Sequence, residues 1–151
     1  TSPDVLSNGR DYVPQGTSKL GEQITPGHPD SAVCYVLPGA VFTGDTLLIG
    51  DCGRTDFQSG NAGSLYDSIT QQLFTLTDET RIYPGHDFNG RSFSTIADER
   101  LHNPRAGNGI TRDQFISTMN NLQLAPPPRI HEALPSNLRC GTLALDAAPA
   151  G

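Results

Sequence analysis

Hydrophobic spacing along this chain switches from a period of two to a helical period and back again, and few architectures accommodate that. Val33, Tyr35 and Leu37 alternate, Pro38-Gly39 marks a turn, and Val41 and Phe42 follow, which reads as a β-hairpin. Leu65, Ile69, Leu73 and Leu76 then recur at helical spacing, so residues 63–76 read as an amphipathic helix. Arg81-Ile82-Tyr83-Pro84 is a short strand stopped by proline. A second helix covers 94–102 and ends before Asn103-Pro104, because a residue preceding proline disfavours helix. A third starts at Thr111, where Thr111 and Gln114 make a capping box and Phe115, Met119 and Leu122 line one face. Thr46–Gly50 fits a short strand or a loop. The order strand–strand–helix–strand–helix–helix implies an α/β layered arrangement. Few strands are available for the helices to cover, which hints at an incomplete core.

Residues 1–19 carry Pro3, Gly9, Pro14 and Gly16 and read as loop or poorly specified structure. Residues 20–141 form the expected structured unit. Pro126-Pro127-Pro128 imposes an extended stretch, and residues 142–151 read as a flexible tail.

The 151 residues suit one domain. With 35% hydrophobic and 17% charged residues, the composition is globular rather than disordered. The net charge of −6 argues against a broad nucleic-acid surface, so an anionic substrate needs local cations. No apolar run approaches the ~20 residues of a membrane helix. Cys34, Cys52 and Cys140 include no close-spaced pair and make a poor disulfide framework. A reducing compartment is expected, either cytoplasm or mitochondrial matrix.

Three segments carry the chemistry: Thr25-Pro26-Gly27-His28, Phe42-Thr43-Gly44-Asp45-Thr46, and Tyr83-Pro84-Gly85-His86-Asp87. In each, a His or Asp sits where a strand-like segment gives way to a Gly-containing loop, a rigid base from which a side chain can point into a cleft. Imidazole plus carboxylate is a ligand set for Zn, Fe or Mn. Singly, an Asp after Gly is most often a turn or cap residue and a loop His most often structural. The three together shift the balance modestly towards a metal site.

In this order, TPGH, FTGDTLLIGDCGRTDF and YPGHD resemble the C-terminal motifs of the metallo-β-lactamase superfamily. Cys52-Gly53-Arg54-Thr55-Asp56-Phe57, with ADERLHNPR and Asn137-Leu138-Arg139-Cys140-Gly141, looks most like its persulfide dioxygenases. The resemblance runs from about Thr25 to Gly141. It implies the C-terminal half of an αββα sandwich, and a mononuclear non-haem Fe(II) held by two His and one Asp. His28 matches the second His ligand and Asp45 the carboxylate ligand. His86 matches the His that serves a second metal in two-metal relatives and lies near the iron in the dioxygenases. The implied reaction converts glutathione persulfide to glutathione and sulfite. Arg54 and Asp56 are expected to act as an ion pair behind the ligands and, with His86, make the candidate catalytic set. Arg105 and Arg139 are candidates for glutathione carboxylates, since a guanidinium meets a carboxylate at two points, and Tyr83 joins them as a candidate substrate contact.

The family's HxHxDH motif, which lies upstream of TPGH and supplies the first iron His, has no counterpart among His28, His86, His102 and His131. His102 and His131 match no motif and read as structural. The chain thus holds two of three iron ligands, a site expected to be weak alone, and Zn suits the same donors. Without the N-terminal half, one sheet face is left bare, and a complementary half, a second copy or a larger assembly is expected to cover it. Further departures are the missing Gly after His28 and Phe88 where the family has Tyr. Three readings follow: a persulfide dioxygenase part active only with the HxHxDH half, an inactive accessory subunit of a larger, mitochondrial assembly, or a glyoxalase II-like thioester hydrolase using two metals.

Overall fold

A computed structural model describes residues 11–15, 18–57, 59–126, 130–131 and 135. Its centre is a six-stranded sheet. Strands β1 (Asp11–Gln15), β2 (Ser18–Ile24), β3 (Val33–Leu37) and β4 (Ala40–Gly44) form an antiparallel meander. Strand β7 (Arg81–Pro84) joins β4 in parallel, and β8 (Ser94–Thr95) closes the far edge antiparallel to β7. Between β4 and β7 come a two-residue hairpin, β5 (Leu47–Leu48) with β6 (Asp51–Cys52), and helix α1 (Ala62–Gln71). Helices α2 (Ile96–His102) and α3 (Arg112–Asn120) follow β8.

The expected β3–β4 hairpin, β7 strand and α3 capping box are all present. Three expectations need correction. Residues 11–15 and 18–19 are strand rather than loop, because β1 pairs with β2, and β2 pairs in turn with β3. Pro14, lacking an N–H, is tolerated because β1 is the sheet edge. The helix expected over 63–76 ends at Gln71, after which Leu73–Thr75 form a 3₁₀ turn that still buries Leu73. The second helix begins at Ile96, because Ser94 and Thr95 pair with Ile82 and Arg81 as strand. Pro127, Pro128, Arg139, Cys140 and the tail lie outside the described residues.

The core sits on one side of the sheet. Cys34, Val41 and Ile82 point from alternate strand positions towards Leu65, Ile69 and Leu73 of the α1 segment and Phe115 and Met119 of α3. Fully burying each of these aliphatic or aromatic side chains stabilises the fold by about 1.5–3 kcal/mol. The opposite face bears Ile24, Tyr35, Phe42 and Tyr83, with Phe93 beside them, and Phe42, Tyr35 and Phe93 are 44%, 40% and 46% exposed. Phe42 and Tyr83 are register partners and stack with centroids 5.4 Å apart.

Polar residues also enter the core, all bonded. Thr25 Oγ1 lies 3.2 Å from both Thr46 Oγ1 and Cys34 Sγ, and the Thr43 hydroxyl donates to the Leu47 carbonyl at 2.7 Å. All four side chains are buried. Replacing Thr25 with Val keeps the volume but strands Thr46. The expected loss is about 1–3 kcal/mol, read as a lower urea midpoint with unchanged slope.

Candidate metal centre

His28 lies on the loop after β2. Thr25 N–H donates to the Ala32 carbonyl at 2.8 Å and closes that loop. Gly27 has φ +138°, and a Cβ there would meet the Leu65 backbone N at 2.3 Å, so only glycine lets the loop rest on α1. Asn61 N–H donates to the Gly27 carbonyl at 2.8 Å, while the Asn61 side chain caps α1. The His28 imidazole Nδ1 is 2.7 Å from the Arg54 carbonyl. A carbonyl only accepts, so Nδ1 carries a proton, and in the neutral ring the lone pair is then on Nε2.

Asp45 follows β4 and His86 follows β7. Parallel pairing sets Gly44 beside Pro84, and Gly85 N–H donates to the Gly44 carbonyl at 2.7 Å. Neighbouring strand ends therefore present the carboxylate and the imidazole together. His86 Nδ1 is 2.6 Å from Asp45 Oδ1, and His28 Nε2 is 3.6 Å from Asp45 Oδ2. The three expected residues thus converge, each using a different carboxylate oxygen or ring nitrogen.

The donor chemistry suits a metal at one point. Two donors each about 2.1 Å from one ion lie about 3.0 Å apart at an octahedral right angle and about 3.4 Å apart in a tetrahedron. The 3.6 Å between His28 Nε2 and Asp45 Oδ2 reaches this with a shift of a few tenths of an ångström. The Nδ1–carbonyl bond behind His28 is the customary orienting contact of a metal-binding imidazole. His86 instead turns its Nδ1–H to Asp45. Among the described residues, no group of three or more His, Cys, Asp or Glu side chains is placed to hold a metal ion. His28 and Asp45 face each other as a candidate pair of donors.

The Arg54 side chain is engaged with other partners. Its Nε and Nη2 meet the two Asp56 oxygens at 2.7 Å each, its Nη1 donates to the Ala125 carbonyl at 3.0 Å, and its guanidinium lies 4.4 Å from the Phe57 ring centroid. The hydrogen-bonded Arg54 guanidinium holds the Asp56 carboxyl below its ordinary value, and Asp56 raises Arg54 in turn. The pair anchors the backbone whose carbonyl orients His28. Arg105 donates from Nε to Asp51 at 3.0 Å, and Tyr83 stacks on Phe42 on the exposed sheet face. Arg139 lies outside the described residues. His102 is exposed at the end of α2, and His131 is also exposed.

Sequence reasoning missed Glu99 and Asn103. Glu99 is 4% exposed yet accepts from Ser94 Oγ, Asn103 Nδ2 and Gly50 N at 2.6, 2.7 and 2.9 Å. Asn103 also donates to the Asp51 carbonyl and caps Arg105 and Ala106. The one signal was a carboxylate within the helical run ADERLHNPR, which reads equally as a solvated helix face.

Cys52 is buried beside Met119, with the sulfurs 3.9 Å apart. Burial, aided by the Asp51 charge and opposed by Arg105, pushes its thiol from 9.0 up to about 12. Its folded value exceeds its unfolded one, so the associated stability is complete below pH 9.0 and falls as pH rises towards about 12. Cys52 in the folded chain is expected to resist iodoacetamide at pH 8 and to react once urea unfolds it, as peptide mass mapping would read.

The metallo-β-lactamase superfamily profile matches residues 2–86. The mitochondrial persulfide dioxygenase ETHE1 of Mus musculus is 44% identical over 133 residues, covering 87% of this chain and 52% of that protein. Its Homo sapiens counterpart is 43% identical over 140 residues, covering 91% of this chain and 54% of that protein. The crystal structure of ETHE1 from Myxococcus xanthus superimposes with a TM-score of 0.85 at 48% identity, covering 94% of this chain and 63% of that one. The chain spans about half the length of the curated relatives it matches.

A Cβ at Gly53 would lie 2.4 Å from the Asp45 carbonyl and 2.8 Å from the His28 ring. Gly53→Ala is therefore expected to lower metal affinity about ten- to a hundredfold by displacing both donors, measured by competition with a chromogenic chelator.

Proposed function

Because the chain belongs to the metallo-β-lactamase superfamily, we propose that it forms part of a persulfide dioxygenase. The observation that carries this reading is the His28–Asp45 pair, whose free Nε2 and free carboxylate oxygen face each other at 3.6 Å while the Arg54 carbonyl fixes the ring. Identities of 42–44% to proteins named persulfide dioxygenase support the reaction class. The mitochondrial names of those relatives favour the mitochondrial matrix over the cytoplasm.

His28 Nε2 and Asp45 Oδ2 would hold the metal, with a third donor from a complementary part carrying HxHxDH. When bound, a non-haem Fe(II) supplies open coordination positions for the persulfide sulfur and O₂, and Zn suits the same donors without that redox chemistry. In balance, glutathione persulfide, O₂ and water give glutathione and sulfite. The terminal sulfur is oxidised by O₂ and gains three oxygens, and the S–S bond breaks with the glutathione sulfur leaving as thiol. His86 keeps Asp45 Oδ1 engaged through its Nδ1–H, so Oδ2 alone is left for the ion. Arg105 would reach a glutathione carboxylate with its terminal nitrogens, since its Nε is committed to Asp51, and Arg139 and Tyr83 complete the proposed substrate contacts. Arg54 and Asp56 support the backbone behind His28. The complementary part would also cover the aromatic sheet face.

One observation favours a second reading. Both His28 and His86 face Asp45, as a carboxylate shared between two ions would require in a glyoxalase II-like thioester hydrolase.

The test combines the full chain with a complementary HxHxDH part and Fe(II), counting bound iron and sulfite formed. One iron per complex and sulfite release are expected, both lost in His28→Ala and Asp45→Ala, with rates falling at least about a hundredfold. Two metals per complex with thioester hydrolysis and no sulfite would replace this reading by the second.

A further inference from the structure

His86 is held on its N-terminal side by the strand end, through Gly85 N–H and the Gly44 carbonyl, and at its ring by Asp45. On its C-terminal side the chain enters an exposed loop, residues 87–93, in which Phe88 is 88% exposed. Asp87 organises that loop. Its carboxylate accepts from Asn89 N at 3.0 Å and Arg91 N at 2.6 Å, and from Arg91 Nε and Nη2 at 3.1 and 2.8 Å.

Arg91 makes one further bond, from Nη2 to the Ile49 carbonyl at 2.7 Å. This bond ties the loop to the body of the fold, and at the loop's far end Phe93 packs against the Tyr83 ring and the Arg81 guanidinium. Ile49 lies in the turn between β5 and β6, and that turn is fixed from behind. Buried Glu99 receives Gly50 N–H, and Asn103 donates to the Asp51 carbonyl. A cleft of about 300 Å³ lies between loop and turn, with His86, Phe88, Asp51 and Arg91 in its wall.

We propose that Arg91 is a positioning residue for His86: its guanidinium bridges the Asp87 carboxylate and the Ile49 carbonyl, and so fixes the backbone that presents the His86 ring to Asp45. This rests on the reading of Asp45 as a metal ligand with His86 behind it. The planar fork of arginine is what the geometry uses, because Nε and Nη2 meet the carboxylate along one edge while Nη2 also reaches the carbonyl. An ammonium presents no such edge, so lysine is not a substitute. Asp87 retains its bonds to Asn89 N and Arg91 N whatever side chain stands at 91, so the loop keeps its turn and loses only its tether.

The experiment uses the full ¹⁵N-labelled chain without added metal, comparing wild type, Arg91→Met and Arg91→Lys at one pH. Imidazole ring-nitrogen signals report each histidine's tautomer, and amide exchange reports the loop. Wild type is expected to show a single His86 tautomer with Nδ1 protonated. In Arg91→Met, exchange over residues 87–92 should quicken about tenfold, as expected for loss of a charge-assisted tether. His86 should then show the averaged tautomers of a solvated imidazole while the His28 signals stay put. Arg91→Lys should behave like Arg91→Met.

Unchanged His86 signals in Arg91→Met would overturn the proposal, since Gly85 and Asp45 would then suffice. Full rescue by lysine would overturn the bridging role. A wild type already averaged at His86 would do the same. Sulfite formation does not enter these readouts, so an inactive wild type with the expected ring signals upholds Arg91 and counts only against the persulfide reading.

Discussion

The hydroxyl of Thr25 ties the loop that carries His28 to the loop that carries Asp45. It sits fully buried between Cys34 on β3 and Thr46, the residue after Asp45. Each such bond contributes only about 1 kcal/mol net, but a buried hydroxyl left without a partner costs more than that. The described residues hold no buried side-chain nitrogen or oxygen lacking a partner. Separating the two loops would cost the Thr25–Thr46 bond, while Thr43 independently fixes the turn into β5 through the Leu47 carbonyl. The spacing of the ligands is in this sense a property of the core rather than of the surface loops.

Above that layer, the backbone does most of the orienting. The Arg54 carbonyl selects the His28 tautomer, and the Gly44 carbonyl holds Gly85 next to Asp45. Side-chain charges act one step further out. Arg54 with Asp56, Arg91 with Asp87, and Arg105 with Asp51 are each closed ion pairs. Exposed pairs of this kind contribute little to global stability, typically 0–1 kcal/mol. Their value lies in direction. Each fixes a stretch of main chain flanking the candidate site and adds no net charge beside it.

What could be read from the sequence was local. The β3–β4 hairpin announces itself by alternation around Pro38-Gly39, and α3 by Thr111 and Gln114, because both signals act within a few residues. The β1–β2 hairpin gives no such signal. Ser18–Ile24 alternates weakly and contains Gly21, and its strand state comes from pairing with β3. Strands β5 and β6, of two residues each, are too short to carry a period. His28, Asp45 and His86 were legible as a set because motif order and residue type suffice for that. The roles of Glu99, Asn103 and Arg91 were not, because they depend on partners between 42 and 55 residues away: Gly50 for Glu99, Asp51 and Leu48 for Asn103, and Ile49 for Arg91.

The two faces of the sheet bear on the site together. Phe42 and Tyr83 stand three residues before Asp45 and His86, on the face away from the core, and they are paired both in backbone register and ring to ring. Val41 and Ile82, the adjacent register pair, point the other way and are fully buried. Parallel strands β4 and β7 are thus gripped from both sides just below the ends that lead to Asp45 and His86. A one-residue slip between them would reverse neither strand's core face without losing both the Val41–Ile82 contact and the aromatic stack. The distance between Asp45 and His86 consequently follows from packing that begins several ångströms beneath them. The aromatic stack and the carboxylate thus share strands β4 and β7, with a register shift between Phe42 and Gly44 lying between them.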